Sequence, residues 1–510
     1  MPRVPAACAF LVALSSCVTA GDPAALQRAV TAAVAAGAPS FTVAPGVYNF
    51  SALPAGTPPT LVIAGARDFN LTSGGAVEFI FPPLGGLRVQ DAARVSLVGP
   101  FVLDAWPPFT TQGVISGGRR AGKWFNFTLT LDAGFDIDEA ARFLPSRALF
   151  FDAATRRTLP DQVNVVSEAL ALAPAAGAAG VWEVSVSFFS NPTLSVPEGS
   201  LCALTPTVGG PVLLVANSSR FAALDVSSHG ASGFTVLESG GAGAHEYTRL
   251  FVGRRAGSAR LMASSADVLH STAVAAGPLL ADSELSYAGD DLFAVHCELG
   301  ILWRRLNATA FYLIDTGGGV GLAQGLPGEA LRFYSLNQSM PLLTSAALGA
   351  RGLQRVTNAT LVAEAQGAAA HIRDVLHITL RDFTVNLLLA DLAPPGLPPA
   401  LADYAALVEL PARCGAGTLV RNCYLHDTAG GMRLKSSRVE VRDTVVENAY
   451  GMRMLPELFW TQSVSANVTL ESNVLRRCGC TALAPHAIEY NPDIFGLQLI
   501  NNTVLPASCT

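Results

Sequence analysis

Three stretches near the C-terminal end of this chain repeat one another: TLVRNCYLHDTAGGMRLK (418–435), RVEVRDTVVENAYGMRM (438–454) and NVTLESNVLRRCGCTAL (467–483). Gly431-Met-Arg-Leu recurs as Gly451-Met-Arg-Met at a shift of twenty residues, and LQLINNTVL (497–505) is a last partial copy. A β-rich period near twenty residues, with Asn at the turns, describes coils of a parallel β-solenoid. One coil cannot bury its own apolar face, whereas stacked coils can. The β-branched, period-2 alternation excludes helical repeats.

At 510 residues the chain is too long for one ordinary compact core, which suits an elongated repeat fold. Its 47 Gly and 32 Pro are spread along the whole length, as expected for many short strands joined by turns. Asp22 to Ala36 reads as a helix, with Asp22 as N-cap, Pro23 at the first helical position and Gly37 as terminator. After it come strand-sized apolar runs such as FTVAPGVYNF, TLVIAG and VEFIFPP. Residues 120–205 and 305–412 break the rhythm and alternate like antiparallel strands. They are expected as two β-barrel-like insertions beside the solenoid. The organisation read from sequence is 1–20 leader, 21–119 cap helix and first coils, 120–205 insertion, 206–304 central coils, 305–412 insertion and 413–510 closing coils.

The first twenty residues, MPRVPAACAFLVALSSCVTA, read as a secretory signal: Arg3, an apolar run, then a small-residue exit. No other run is apolar enough to span a membrane. Glycosylation sequons begin at Asn49, Asn70, Asn126, Asn217, Asn307, Asn337, Asn358, Asn467 and Asn501, which is nine of the seventeen Asn and points the same way. A secreted, extracellular glycoprotein is the expectation. Seven Cys lie beyond the leader, and in an oxidising compartment some should pair. Cys478-Gly-Cys480 lacks zinc-site spacing. A net charge of −6 without a basic block gives no reason to expect a nucleic-acid partner.

Charged residues are only 14% of the chain, yet SYAGDDLFAVHCE (286–298) sets Asp290 beside Asp291. Upstream, Asp267 lies 23 and 24 residues away, about one coil. Coils stack roughly 4.8 Å apart, so the spacing predicts three carboxylates in one patch. Like charges at that range do not all ionise, and an acid that keeps its proton beside an ionised base is what glycoside hydrolysis needs. An Asp-Asp turn capping its own backbone is the competing reading.

The residues carry a resemblance. The opening helix followed by APGVYNF, the segment Ala266–Ser271, the segment Gly277–His296 and the closing GGMRLKSSRVEVRDTVVENAYGMRMLPE (430–457) resemble the pectin-lyase-like right-handed parallel β-helices. Within them the chain looks like relatives of glycoside hydrolase family 110, the α-1,3-galactosidases, and more distantly like the family 28 polygalacturonases. The resemblance implies an all-β, right-handed parallel β-helix with inserted barrel domains. It further implies an inverting, metal-free glycoside hydrolase without cofactor, with Asp290 as general acid and Asp267 and Asp291 holding the attacking water. The partner implied is an oligo- or polysaccharide or a glycoconjugate. Departures are Val268, where a small residue is expected, and the missing Gly-His-Gly of polygalacturonases, which argues against pectin.

Substrate contacts are expected from Arg433 and Lys435, which could equally be solvated strand residues, and from Glu457 and Trp460, in a loop that interrupts the repeat. His270 and His296 are expected at the site as substrate-side residues or as supports for the carboxylates. Gly317–Gly321 is not a phosphate loop, and GxSxG and HExxH are absent. A glycan-binding β-helix without activity and a calcium-dependent polysaccharide lyase are the alternatives to a hydrolase. An adhesin would show an uninterrupted solenoid.

Overall fold

The computed structural model describes residues 21–53, 60–108, 110–122, 124–137, 147–159, 167–188, 196–205, 209–297, 299–315, 325–335, 342–375, 386–393, 406–454, 465–478, 487–490 and 494–505. The leader, Glu457, Trp460, Asn337 and the Gly317–Gly321 turn lie outside the described residues, and their expected roles stand as sequence readings only.

The chain is a parallel β-helix with three faces. The third face is the simplest to follow. Among the described residues it stacks nine parallel strands in chain order, including Gly86–Gln90, Leu213–Ala216, Val236–Ser239, Leu269–Thr272, Phe293–His296, Met432–Leu434 and Met452–Met454. Its inward positions form one column: Leu87, Leu213, Val236, Leu269, Phe293, Met432 and Met452 are each buried. Burying each such side chain contributes about 1.5–3 kcal/mol, and only stacking on the next coil provides the burial.

The first and second faces meet at a tight corner built from left-handed residues. Asp225, Arg249, Asp282, Asn422, Asp443, Ser472 and Asn501 all have positive φ and stack coil upon coil. Asn and Asp tolerate that conformation, which explains the Asn-rich turns of the repeat. One residue further on, an interior ladder satisfies the backbone. Asn473 Nδ2 donates to Val441 O (2.9 Å) and Asn502 Nδ2 donates to Leu470 O (2.7 Å).

The opening helix spans Pro23–Ala35, with Asp22 accepting from the Ala25 amide and Gly37 at φ +65°. It buries Leu26, Ala29, Val30 and Ala33 on the first coil. Gln27 hydrogen-bonds both backbone groups of Val62, which covers an otherwise open strand edge.

Both interruptions are antiparallel. The first contributes six strands between Thr111 and Thr205. One side packs Phe125, Phe127 and Phe150 together, while Leu149, Phe151 and Leu201 on the other meet Leu261, Met262 and Ala429 of the solenoid. The second closes into a barrel between Leu299 and Glu409, around Leu302, Phe311, Leu331, Phe333 and Leu388. A helix over Ala359–Val375, capped by Asn358, packs on this barrel. Strand-like alternation around it hid that helix from the sequence reading. Cys297 and Cys414 pair at the neck of the barrel, whereas Cys202, Cys423 and Cys478 are buried free thiols. Of the sequon asparagines, Asn49, Asn70, Asn217, Asn307, Asn358, Asn467 and Asn501 are exposed and Asn126 is half-buried.

Candidate functional site

Register brings the three aspartates together. Leu269 pairs with Phe293 and Ser264 with Ala288, so Asp267 lies one coil above Asp291, in the turn that enters the third face. One carboxylate oxygen from each of Asp267, Asp290 and Asp291 falls within 4.8 Å of the others. The glycine of the Gly-Asp-Asp turn is there for clearance, because a Cβ on Gly289 would sit 2.2 Å from Ser265 O. A Cβ on Gly430 would sit 2.5 Å from Asp290 O on the other side. The turn is thus pressed between two neighbouring coils, and Thr428 Oγ1 fixes it by donating to Asp290 O (2.6 Å).

Each carboxylate has a different partner. Asp267 Oδ2 lies 2.6 Å from His270 Nδ1. Asp291 Oδ1 accepts from the Gly431 amide (3.1 Å), and its Oδ2 lies 2.8 Å from Arg433 Nε. Asp290 is ion-paired to Arg147, whose other nitrogen donates to Gly289 O (3.0 Å). Arg147 opens an inserted strand (Arg147–Phe151) and lies 143 residues from Asp290, so no spacing rule could have found it. The remaining oxygen of Asp290, Oδ1, is buried without a hydrogen-bond partner among the described residues.

These environments push the protonation preferences apart. Burial raises the Asp291 carboxyl to about 7, and the charges of Asp290 and Asp267 add to that against the opposing pull of Arg433. Asp267 is equally buried, but its hydrogen bond to His270 and the charges of His270, Arg433 and Arg147 hold it below the ordinary carboxylate range.

Of the other expected site residues, Arg433 touches the cluster, and Lys435 is fully buried at the end of the same strand. Neither is a solvated outward residue. His296 is buried beside His270, their rings edge to face at 4.7 Å between centroids, and Phe234 packs on His270 with centroids 4.7 Å apart.

A solenoid of parallel coils, with an inserted sheet lending an arginine to a three-carboxylate cluster, defines the class: a β-helix with acid–base capacity on one face. No family model and no curated protein matches the chain. Solved structures do. The A-module of the mannuronan C-5 epimerase AlgE4 from Azotobacter vinelandii is similar over 97% of both chains, at 9% identity and a TM-score of 0.27. The A-module of AlgE6 from the same organism is similar over 97% of this chain and 99% of that one, at 8% identity and 0.27. The Gp54 tailspike of the Acinetobacter baumannii bacteriophage AP22, solved with a capsular saccharide, matches 92% of this chain and 57% of its own, at 10% identity and 0.16. At such scores the likeness carries no argument about what this chain does.

Proposed function

We propose that this protein is a secreted glycoside hydrolase, acting on a terminal sugar of an oligosaccharide, polysaccharide or glycoconjugate through Asp267, Asp290 and Asp291. The observation that supports it is the split within the cluster: one carboxyl, Asp291, keeps its proton to about pH 7, while Asp267, one coil away, is held ionised. Asp291 gives its proton to the leaving glycosidic oxygen as the bond to the anomeric carbon breaks. Asp267 takes a proton from the water whose oxygen bonds that carbon. Passage of that proton from Asp267 back to Asp291 restores the site. Asp290, held by Arg147, raises the proton affinity of Asp291 by its charge. This division makes Asp291 the acid, where the resemblance implies Asp290.

The carboxylate oxygens lie within 4.8 Å of one another, closer than the about 6.5–9.5 Å between carboxyl groups that seats the water of an inverting enzyme. Inversion therefore requires the side chains to splay apart when the sugar enters. The test is a panel of aryl α- and β-glycosides, α-galactosides first, with the anomer of the product read by NMR. Asp291→Asn is expected to lower kcat by about 10²–10⁴, and a wild type inactive on every glycoside sinks the hydrolase reading. Two arginines beside the carboxylates support a second reading, a polysaccharide lyase, which would release a product with an unsaturated ring absorbing in the ultraviolet and depend on added calcium.

A further inference from the structure

Behind Asp267 runs a line of hydrogen bonds that ends on the backbone. His270 Nδ1 meets Asp267 Oδ2 at 2.6 Å, His270 Nε2 meets His296 Nε2 at 2.9 Å, and His296 Nδ1 meets Cys297 O at 2.7 Å. Each contact needs one proton, and the last acceptor is fixed. A carbonyl oxygen only accepts, so His296 Nδ1 carries a hydrogen. His296 is fully buried, and burial together with the nearby charges of His270, Lys435 and Arg433 pushes it well below the usual imidazole range. It is neutral, so its Nε2 is a lone pair, and the hydrogen between the two rings belongs to His270 Nε2. The remaining contact, between His270 Nδ1 and an Asp267 carboxylate, also needs a hydrogen. With Asp267 ionised, that hydrogen is on Nδ1.

We propose that His270 is a doubly protonated positioning residue that fixes the orientation and charge of Asp267, and that His296 sets its state by presenting a bare Nε2. This shares with the acid–base reading the ionised state of Asp267 and rests on it further only for its consequence in catalysis: the contacts require three protons along the line, and a neutral His296 beside an ionised Asp267 places two of them on His270. The anchor is firm. Cys297, whose carbonyl closes the line, is tied to Cys414 at the barrel neck. The groups facing the pair are Arg433, Arg147, Asp290 and Asp291 around Asp267, with His296, Phe234 and the buried Glu238 of the preceding coil around His270. In this role His270 and His296 act as supports for the carboxylates, one of the two roles the sequence offered for them.

Two measurements test this. The first uses ring nitrogens of the ¹⁵N-histidine-labelled full chain at neutral pH, without substrate. The expected spectrum shows His270 protonated at both nitrogens and His296 as the neutral Nδ1–H tautomer, with Asp267→Asn converting His270 to the neutral form. A His296 protonated at Nε2, or a His270 still doubly protonated in Asp267→Asn, overturns the proposal. The second uses the activity found on the glycoside panel. In His270→Gln the acidic limb of the kcat/KM profile should move up by about 1–3 pH units, since Asp267 loses the partner that holds it ionised; an unmoved limb overturns the role. The ring spectra do not depend on turnover. A protein with the expected spectra and no activity would sink the hydrolase reading alone.

Discussion

Two carboxylate clusters of this molecule receive an arginine from the same inserted hairpin, and they behave in opposite ways. Arg147, at its start, reaches Asp290. Arg157, ten residues on, donates from Nε to both oxygens of Asp427 (2.9 Å each) and from Nη1 to Glu447 (3.1 Å). Around Asp427 every acceptor is matched: His426 Nδ1 lies 2.8 Å away and Asn448 Nδ2 donates at 2.6 Å. Burial works against its charge, but these donors win and hold it at about 2. Glu447 is likewise lowered, with Tyr424, Arg157 and Arg476 outweighing burial. In the cluster of Asp267, Asp290 and Asp291, three carboxyls crowd where donors are fewer, and Asp291 rises to about 7. A charged cluster that is fully paired fastens an insertion to the solenoid, whereas one left short of donors stores a proton.

The comparison is broken most directly by deletion. Asp427→Ala leaves the part-exposed Arg157 guanidinium with Glu447 alone and takes the acceptor from Asn448, and should cost about 1–3 kcal/mol, read as a lower midpoint in urea unfolding. Asp291→Asn replaces a carboxyl that is already neutral below about pH 7, so its midpoint at mildly acidic pH should stay within about 1 kcal/mol of wild type. Equal losses in the two variants would mean that both clusters are structural.

A finer contrast lies in pH. Asp291 binds its proton more tightly folded, at about 7, than at its ordinary 3.8. Between those values the folded state holds more protons, so its contribution to stability falls as pH rises. Asp427 is shifted the other way, to about 2, so its contribution is complete above the ordinary value and disappears as pH falls from about 4 to 2. Unfolding midpoints across that range should show Asp291→Asn flattening the neutral limb and Asp427→Asn the acid limb. A variant that flattens the wrong limb reverses the assignment. A small effect is expected for His426→Gln. Arg157 and Asn448 remain on Asp427, so the loss should be about 1 kcal/mol.

How far the site was legible follows from what repeats. The Asp267–Asp291 spacing was readable because it equals the coil offset seen in Leu269↔Phe293. Arg433 was read as a substrate contact or a solvated strand residue; that it neighbours the aspartates is shown by the pairing of its strand with Phe293–His296 across the inserted barrel. Arg147 was not readable, because an antiparallel insertion obeys no coil period and its packing on the solenoid is decided by Leu149, Phe151 and Leu201 against Met262 and Ala429. Which aspartate keeps the proton was also hidden, since adjacent residues in a sequence look alike and only burial and contacts tell them apart. The helix over Ala359–Val375 did have a local signal, an Asn cap before an Ala-rich run, but it was overridden by the alternation on either side.

The register at Phe293↔Met432 continues as though nothing lay between, although the chain leaves the solenoid there for a whole barrel and returns 139 residues later. Loop-closure entropy grows only with the logarithm of length, so this excursion costs roughly 2 kcal/mol more than a twenty-residue coil would. One well-packed core side chain offsets that difference. A solenoid of this kind is therefore an open-ended scaffold in evolutionary terms: a complete domain can be spliced into a turn, and its loss or replacement leaves the coils above and below free to stack as before.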